Sequence, residues 1–227
     1  MRILVDGIDM AGKTSLVHAV VAEFERRDIA AVRHRGMLAE HHPLEAVLRR
    51  LSSARQPDSW WTTTAYLVGG FALDALLARV DPPRPRQAVI VQDGYGDRTA
   101  AFGMAGGPYL AAALALRWPG LLARFDLAVY LHAPPQVRAK RMAGREHVDV
   151  RDERSVEDVA FAERFHAFHV HGMGRRHRRL LVIDSTKRRP DEMAVEIVDA
   201  ALRTTTGAGG DRRGEHAPKN PSKARTS

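Results

Sequence analysis

Residues 1–14 read M-R-I-L-V-D-G-I-D-M-A-G-K-T, and this stretch decides the fold. Ile3 to Val5 form an apolar run that is too short for a helix and suits a buried parallel strand. Gly7 to Thr14 then match the phosphate-binding pattern G-x-x-x-x-G-K-T, and Ser15 begins a stretch with helical periodicity. This order of strand, glycine-rich loop and helix is the setting that a P-loop requires. We therefore expect the chain to bind a nucleoside triphosphate.

Each part of this loop has a chemical role. Gly7 and Gly12 permit backbone conformations that a side chain would obstruct, so the N–H groups of the loop can converge on phosphate oxygens. Lys13 supplies a mobile cation for the β- and γ-phosphates, and the Thr14 hydroxyl suits Mg²⁺. The residues predicted to bind ATP are Gly7, Ile8, Asp9, Met10, Ala11, Gly12, Lys13, Thr14 and Ser15.

The composition is that of an ordinary globular domain. The 227 residues suit one domain with a full core. Cysteine is absent, which excludes disulfides and thiolate metal sites and fits the cytoplasmic location that we expect. We expect no secretory signal, because Asp6 interrupts the apolar start. We also expect no membrane span, since the nearest apolar run, residues 109–116, ends at Arg117.

The formal net charge is +8, which raises the question of nucleic acid. Residues 204–227 carry five basic residues against two acidic ones and few core-forming side chains, so we predict a disordered basic tail. A phosphate-handling enzyme explains the remaining excess as well as nucleic-acid binding does. We expect ATP and a small-molecule acceptor as partners, and no nucleic acid.

The order of apolar runs after the P-loop predicts an α/β fold. Helical patterns separate the runs, whereas residues 94–107 are predicted to form a loop. Strands that alternate with helices imply a doubly wound parallel sheet of about five strands with helices on both faces. We expect this domain to span residues 1–203. The four further predicted strands are residues 29–32, 88–91, 127–131 and 180–183.

Two aspartates stand where chemistry is expected. Asp93 ends a buried apolar strand, the position at which ligands bind in open α/β sheets, and its carboxylate can hold Mg²⁺. Alternatively, Asp93 caps the turn at Gly94. Asp9 places a negative charge inside the phosphate loop. It either faces an acceptor hydroxyl, holds an arginine that does so, or stabilises the loop.

Arginines are concentrated in residues 138–154, between two predicted helices. Phosphoryl transfer is catalysed largely by positioning and by charge neutralisation, so a mobile arginine-rich lid is a plausible functional part. The alternative is a solvated, charged helix face. The residues predicted to be catalytic are Lys13, Asp9, Arg141, Arg145 and Arg151.

These motifs together resemble the thymidylate kinase family of P-loop nucleotide kinases, over residues 1 to about 202. Residues 6–14 resemble its E-G-x-D-x-x-G-K-T start, and residues 33–36, R-H-R-G, resemble its R-E-P-G-G-T region. Residues 93–95, D-G-Y, stand where the family has D-R-Y. Phe161, Arg164 and Phe168 resemble its F-x-x-R-V-x-x-x-Y helix. The resemblance implies ATP and Mg²⁺ as cofactors, a homodimer, and a catalytic arginine supplied by the lid.

The departures from the family pattern concern the acceptor. The arginine of D-R-Y, which grips the acceptor phosphate, is Gly94 here. The family's F-A-A-D-R segment reads the thymine, and its phenylalanine and arginine align with Val68 and Ala72. The tyrosine and glutamine of S-S-x-A-Y-Q align with Phe102 and Gly103. The chain therefore resembles the family in the residues that bind the phosphate donor and differs from it in the residues that bind the acceptor.

We accordingly predict an ATP-dependent phosphotransferase whose acceptor is a nucleotide or a nucleoside-like molecule other than thymidylate. Thr14 and Asp93 are predicted to hold the metal. Two alternatives stay open: a kinase of another small-metabolite hydroxyl, and a nucleotide-binding switch without transfer activity. The predicted acceptor-binding residues are Arg33, Arg35, Val68, Phe71, Asp93, Tyr95, Arg98 and Phe102.

Overall fold

The computed structural model contains one five-stranded sheet, in the order β2-β3-β1-β4-β5, and every strand pair is parallel. It describes residues 1–54, 59–107, 109–144 and 150–207, without the side chains of 51–54, 150–152 and 204–207. The predicted α/β class is confirmed. The strands are β1 (Arg2–Gly7), β2 (Ala31–His34), β3 (Val89–Asp93), β4 (Leu127–His132) and β5 (Leu180–Asp184).

Helices cover both faces of this sheet. A π-helical segment, Ala65–Ala72, joins α3 to α4, so that Trp60–Val80 is one continuous helix. A short 3₁₀ turn, Pro119–Leu121, precedes β4. The helices are α1 (Lys13–Arg26), α2 (Glu45–Ala54), α3 (Trp60–Thr64), α4 (Leu73–Val80), α5 (Gly96–Gly106), α6 (Leu110–Arg117), α7 (Pro135–Ala143), α8 (Val150–Glu157), α9 (Val159–Arg176) and α10 (Pro190–Gly207).

The central strand β1 supplies side chains to two hydrophobic cores. Ile3 and Val5 pack in the core that contains Phe24 of α1, whereas Leu4 packs in the core that contains Phe71. Successive side chains of a strand point to opposite faces, so a strand covered on both sides is apolar throughout. The run I-L-V is therefore buried on both faces of the sheet, and of the residues of β1 only Arg2 stays partly exposed. The burial of this strand places the P-loop at the middle of the sheet's carboxyl edge.

The prediction of a loop over residues 94–107 is wrong for Gly96–Gly106, because these residues form α5. Ala100 and Ala101 of this helix are fully buried. A Cβ atom at Gly96 would lie 2.8 Å from the Phe71 side chain, and one at Gly103 would lie 2.8 Å from the Ala112 side chain. These two glycines therefore allow the close packing of α5, and burial outweighs their poor helix propensity.

The expectation about apolar runs also needs correction. Among the described residues, the helix Trp60–Val80 is long enough and apolar enough to cross a membrane, judged by length and composition alone. In its most apolar stretch of 18 residues, 39% is buried inside the protein. Leu67, Phe71 and Ala75 of this helix pack in the core beside Leu4. A core helix passes the same test, so the helix is weak evidence for a membrane.

Candidate active site

The P-loop is shaped by two glycines. A Cβ atom at Gly7, where φ is +149°, would lie 2.2 Å from the Leu131 carbonyl oxygen, so the loop starts in direct contact with β4. Gly12 adopts the left-handed conformation, with φ +98°, as the N-cap of α1, and no side chain of the described residues caps it. The first N–H groups of α1 thus face the loop, an arrangement that fits phosphate oxygens.

Lys13 lies over this loop instead of extending into solvent. Its side chain is 14% exposed, and Nζ donates to the carbonyl oxygens of Gly7 at 3.0 Å and Ile8 at 2.9 Å. The sequence predicts a mobile cation, whereas in the structure two loop carbonyls hold the ammonium group. Burial lowers the pKa of Lys13, and the Asp9 carboxylate beside it partly offsets that shift. The loop carbonyls thus hold this cation at the wall of the cleft.

Asp9 holds an arginine, which is one of the alternatives that the sequence left open. Its Oδ2 forms an ion pair with Nη2 of Arg98, and its Oδ1 lies 3.5 Å from Lys13 Nζ. Arg98 comes from the first turn of α5, on the far side of the cleft from the P-loop. The acidic loop residue thus joins the donor side of the cleft to the opposite wall.

The first turn of α5 has its own buried anchor. Asp97 accepts a hydrogen bond from Arg176 Nη1 at 2.5 Å, and His177 Nε2 lies 3.3 Å from its other oxygen. Burial alone would raise the pKa of Asp97, but Arg176 and His177 hold it below its ordinary value. Arg176 and His177 thus hold Asp97 in place. Because Asp97 directly precedes Arg98 and Arg176 belongs to α9, this helix helps to position Arg98. The sequence alone did not single out this anchor.

Asp93 and Thr14 meet at the end of β3. The Thr14 hydroxyl lies 3.4 Å from Asp93 Oδ2, and the Asp93 side chain is 8% exposed. A hydroxyl and a carboxylate at this spacing are oxygen donors of the kind that Mg²⁺ takes, so the residues present fit the predicted metal. Arg33 Nη2 also donates to Asp93 Oδ2, at 2.6 Å. The structure therefore places Arg33 beside the predicted metal donors, and Arg33 does not line the cleft.

Asp6 is a buried residue beside the P-loop that the sequence reasoning did not single out. It is fully buried; Oδ1 accepts the Gly7 N–H at 2.8 Å and Oδ2 accepts the Tyr95 N–H at 3.3 Å. His169 Nε2 lies 3.4 Å from the same Oδ2. Asp6 thus ties the start of the P-loop to the turn after Asp93. An acidic residue directly before the loop glycine was the available signal.

Tyr95 is buried, and its hydroxyl is committed to Asp74. That carboxylate also accepts the N–H groups of Leu38 at 2.9 Å and Ala39 at 2.7 Å. Burial and the neighbouring Asp74 raise the pKa of Tyr95. Tyr95 borders the cleft with its ring, while its hydroxyl braces the chain after β2. The signal for Asp74 was a lone carboxylate within an apolar helix.

A cavity of about 760 Å³ connects these groups. The P-loop forms one end, and α2, the π-helical segment and the first turn of α5 form the other. Arginines and aromatic rings meet at that second end. The lining residues are Asp9, Met10, Gly12, Lys13, Thr14, Ser15, Arg35, Gly36, Met37, Glu45, Leu48, Arg49, Tyr66, Phe71, Asp93, Gly94, Tyr95, Arg98 and Thr99.

Besides Arg33, two further predicted acceptor residues lie outside the cleft lining. Val68 is 61% exposed and lines a separate apolar groove with Trp60 and Leu110. Phe102 is buried, with its ring centroid 5.2 Å from Phe161 and 4.8 Å from Phe165. In the π-helical segment it is Phe71, not Val68, that faces the cleft. The prediction that Val68 and Phe102 contact the acceptor therefore does not agree with their positions in the structure.

The predicted lid is described only in part. Arg141 donates to the carbonyl oxygens of Met10 at 3.1 Å, Ala11 at 2.8 Å and Ser185 at 2.8 Å, so it braces the P-loop against the turn after β5. Arg145 and the side chain of Arg151 lie outside the described residues, as does the tail beyond residue 207. The catalytic roles given to the three arginines therefore stay predictions.

Comparison with known proteins agrees with this geometry. No family model matches the chain. The chain is 29% identical over 154 residues to the thymidylate kinase of Verminephrobacter eiseniae, an alignment that covers 63% of this chain and 66% of the relative. The chain thus matches just under two thirds of the length of that relative. This similarity supports a thymidylate kinase-like family for the chain.

Proposed function

We propose that this protein transfers the γ-phosphoryl group of ATP to a nucleotide or nucleoside-like small molecule. The observation that carries the proposal is that one cavity has the P-loop at one end and arginines and aromatic rings at the other. A phosphotransferase needs a donor site and an acceptor site that share one cleft, because the two reacting groups must lie in line. The similarity to a thymidylate kinase supports the same class of reaction.

The donor end has the parts that phosphoryl transfer requires. The loop N–H groups and the N-terminus of α1 would hold the phosphates, and Lys13 would neutralise the transferring group. Thr14 and Asp93 would hold Mg²⁺, which when bound neutralises phosphate charge and aligns the donor. We further propose that Arg145 or Arg151, with Arg141 as a brace, completes the charge neutralisation when the lid closes.

The acceptor end is cationic and partly aromatic. Arg35, Arg49 and Arg98 border it, together with the rings of Tyr66 and Phe71. Guanidinium groups bind phosphate or carboxylate oxygens, and the rings offer a surface to a flat apolar group. An anionic molecule with a ring, such as a nucleoside monophosphate, matches this combination. Arg98 takes over the phosphate contact that Gly94 lacks.

We propose that thymidylate is a poor acceptor. Ala72 lines the separate apolar groove and not the cleft. A Cβ atom at Gly103 would lie 2.8 Å from Ala112 and from Thr63, so position 103 has no room for a side chain that reads a base. A site without its hydrogen-bonding readers discriminates less well for the base that those readers recognise. Ala72 and Gly103, two of the positions at which the family has polar side chains, therefore offer the cleft no such reader.

An ADP-release screen tests the function. ATP, Mg²⁺ and the purified chain are incubated with nucleosides, nucleoside monophosphates and small alcohols, and each hit is confirmed by the mass of its product. We expect a phosphorylated nucleotide or nucleoside, and a lower kcat/KM for thymidylate than for the best hit. A phosphorylated alcohol as the best product would favour the metabolite-kinase alternative. Slow ADP release without any phosphorylated product would support the nucleotide-binding switch.

We also propose a homodimer. Trp60, Val68, Leu110 and Leu121 are 40–68% exposed and line an apolar groove of about 280 Å³ on the outer side of the Trp60–Val80 helix. Apolar patches of this kind mark interaction surfaces. Size-exclusion chromatography with light scattering, which gives the molar mass of the eluting protein, tests the proposal. We expect the mass of a dimer for the unmodified chain and the mass of a monomer for Val68→Glu. A monomeric unmodified chain at all concentrations would contradict it. A cytoplasmic location stays a prediction.

A further inference from the structure

Arg33 lies on the carboxylate oxygen of Asp93 that a metal ion would need. Its Nη2 is 2.6 Å from Asp93 Oδ2, the same oxygen that is 3.4 Å from the Thr14 hydroxyl. Arg33 stands on β2 and Asp93 on β3, which are neighbouring strands in the sheet. The guanidinium therefore reaches from the adjacent strand across the predicted metal donors.

A second contact holds Arg33 in this position. Its Nη1 lies 3.1 Å from Nε2 of His18. A guanidinium has only donors, so Nε2 of His18 accepts this hydrogen bond. His18 follows Thr14 by four residues, which places both side chains on the same side of α1. Arg33 is thus fixed by α1 on one side and by β3 on the other.

We propose that Arg33 is a counterion that occupies the metal position and leaves Asp93 when a magnesium nucleotide binds. This inference rests on the proposed function, because it takes Thr14 and Asp93 as the metal donors. The Asp93 side chain is only 8% exposed, and a carboxylate with so little water needs a partner cation. Mg²⁺ and a guanidinium repel each other at this range, so they compete for the one oxygen.

The competition has a measurable consequence. Without Arg33, Asp93 is left unpaired, so it repels nucleotide phosphates when metal is absent and attracts Mg²⁺ when metal is present. Both effects raise the ratio between the Kd of ADP in EDTA and the Kd of ADP in Mg²⁺. Calorimetric titration with ADP gives both constants. We expect Arg33→Gln to raise this ratio about tenfold.

Three further variants define the test. Arg33→Lys keeps the charge and is expected to leave the ratio within about threefold of the original. His18→Ala releases one of the two contacts and is expected to raise the ratio by a smaller factor than Arg33→Gln, which keeps the proposal testable if the glutamine variant does not fold. Arg178→Gln removes an exposed arginine that pairs with Asp126 at 3.7 Å, away from the cleft, and should change nothing.

The outcomes separate the inference from the proposed function. An unmodified protein that does not bind ADP in either buffer contradicts the proposed function itself. Normal ADP binding with an unchanged ratio in Arg33→Gln and His18→Ala overturns the inference alone. Equal weakening of ADP in both buffers by Arg33→Gln also overturns it, because that result describes a phosphate contact. A lysine variant that behaves like the glutamine variant overturns the charge-based explanation.

Discussion

Arg98 forms an ion pair with Asp9, and this pair joins the first turn of α5 to the P-loop. Asp9 also lies 3.5 Å from Lys13, so the acidic residue of a phosphate-binding loop is neutralised from two sides. The Arg98 guanidinium additionally lies 5.2 Å from the centroid of the Phe102 ring. Phe102 therefore supports the arginine from the core. The acceptor wall and the donor loop are coupled through one carboxylate.

Removing this pair tests the coupling. We expect Arg98→Ala to lower kcat/KM for the acceptor on the order of 10²-fold, since it removes a charge-assisted contact, and to change the KM for ATP much less. Asp9→Asn should reduce activity as well, and the double variant should lose less than the two single losses combined. Steady-state kinetics of the four proteins gives the cycle, with Arg178→Ala as the exposed control. Strictly additive losses would show that the two residues act independently.

The lid arginines should separate by kinetic signature. Arg141 braces the loop carbonyls, so Arg141→Ala is expected to raise the KM for ATP. Arg145→Ala and Arg151→Ala should lower kcat far more than they weaken ATP binding, because their contacts are predicted to form in the closed state. Arg154→Ala is the matched control, since that guanidinium lies 4.4 Å from the Phe161 ring centroid, against α9. If kcat is unchanged in all lid variants, the neutralising charge comes from elsewhere.

Glu23 gives a pH-dependent contribution to stability. Hydrogen bonds from Arg26 and Arg27, both at 2.7 Å, lower the pKa of Glu23 from 4.5 to about 2. Arg27 also donates a hydrogen bond to Asp199 of α10 at 2.6 Å. The pKa is depressed in the folded state, so the contribution is complete above pH 4.5 and is lost as the pH falls toward about 2. We expect Glu23→Gln to lower Tm at pH 7.

Thermal unfolding from pH 7 down to pH 3 measures this contribution. The difference in Tm between the two proteins should be constant at neutral pH and shrink below pH 4.5, the ordinary value for a glutamate. Glu25→Gln, at an exposed position of the same helix, would control for the loss of a charge. A difference that grows as the pH falls has the wrong sign for this explanation.

The sequence predicted most of what is local. The P-loop follows from eight consecutive residues, and the strands follow from apolar runs, because a parallel sheet buries both faces of each strand. The motif includes Lys13, which is the first residue of α1 in the structure, but the burial of Lys13 depends on the direction of the Gly7 and Ile8 carbonyls. That direction is set by the backbone conformation of the loop, which cannot be read from the sequence.

The rest depends on contacts between distant segments. Asp9 had three possible roles until α5 brought Arg98 beside it, and α5 itself was hidden by glycines that its neighbours require. Phe71 and Val68 differ in which side of the π-helical segment they occupy, and an α-helical or π-helical turn would orient them differently. These features are decided by tertiary packing, so no local pattern could predict them.

The most direct test of the account is the transfer of labelled phosphate from [γ-³²P]ATP to the best acceptor, by the unmodified chain and by Lys13→Ala. Lys13 is the cation of the loop, and losing a preorganised charge of this kind costs on the order of 10²-fold or more in rate. We expect label in the product with the unmodified chain and at least that loss with the variant, whose circular dichroism should stay the same. Near-normal transfer by a folded Lys13→Ala protein would contradict the claim that this cleft performs phosphoryl transfer.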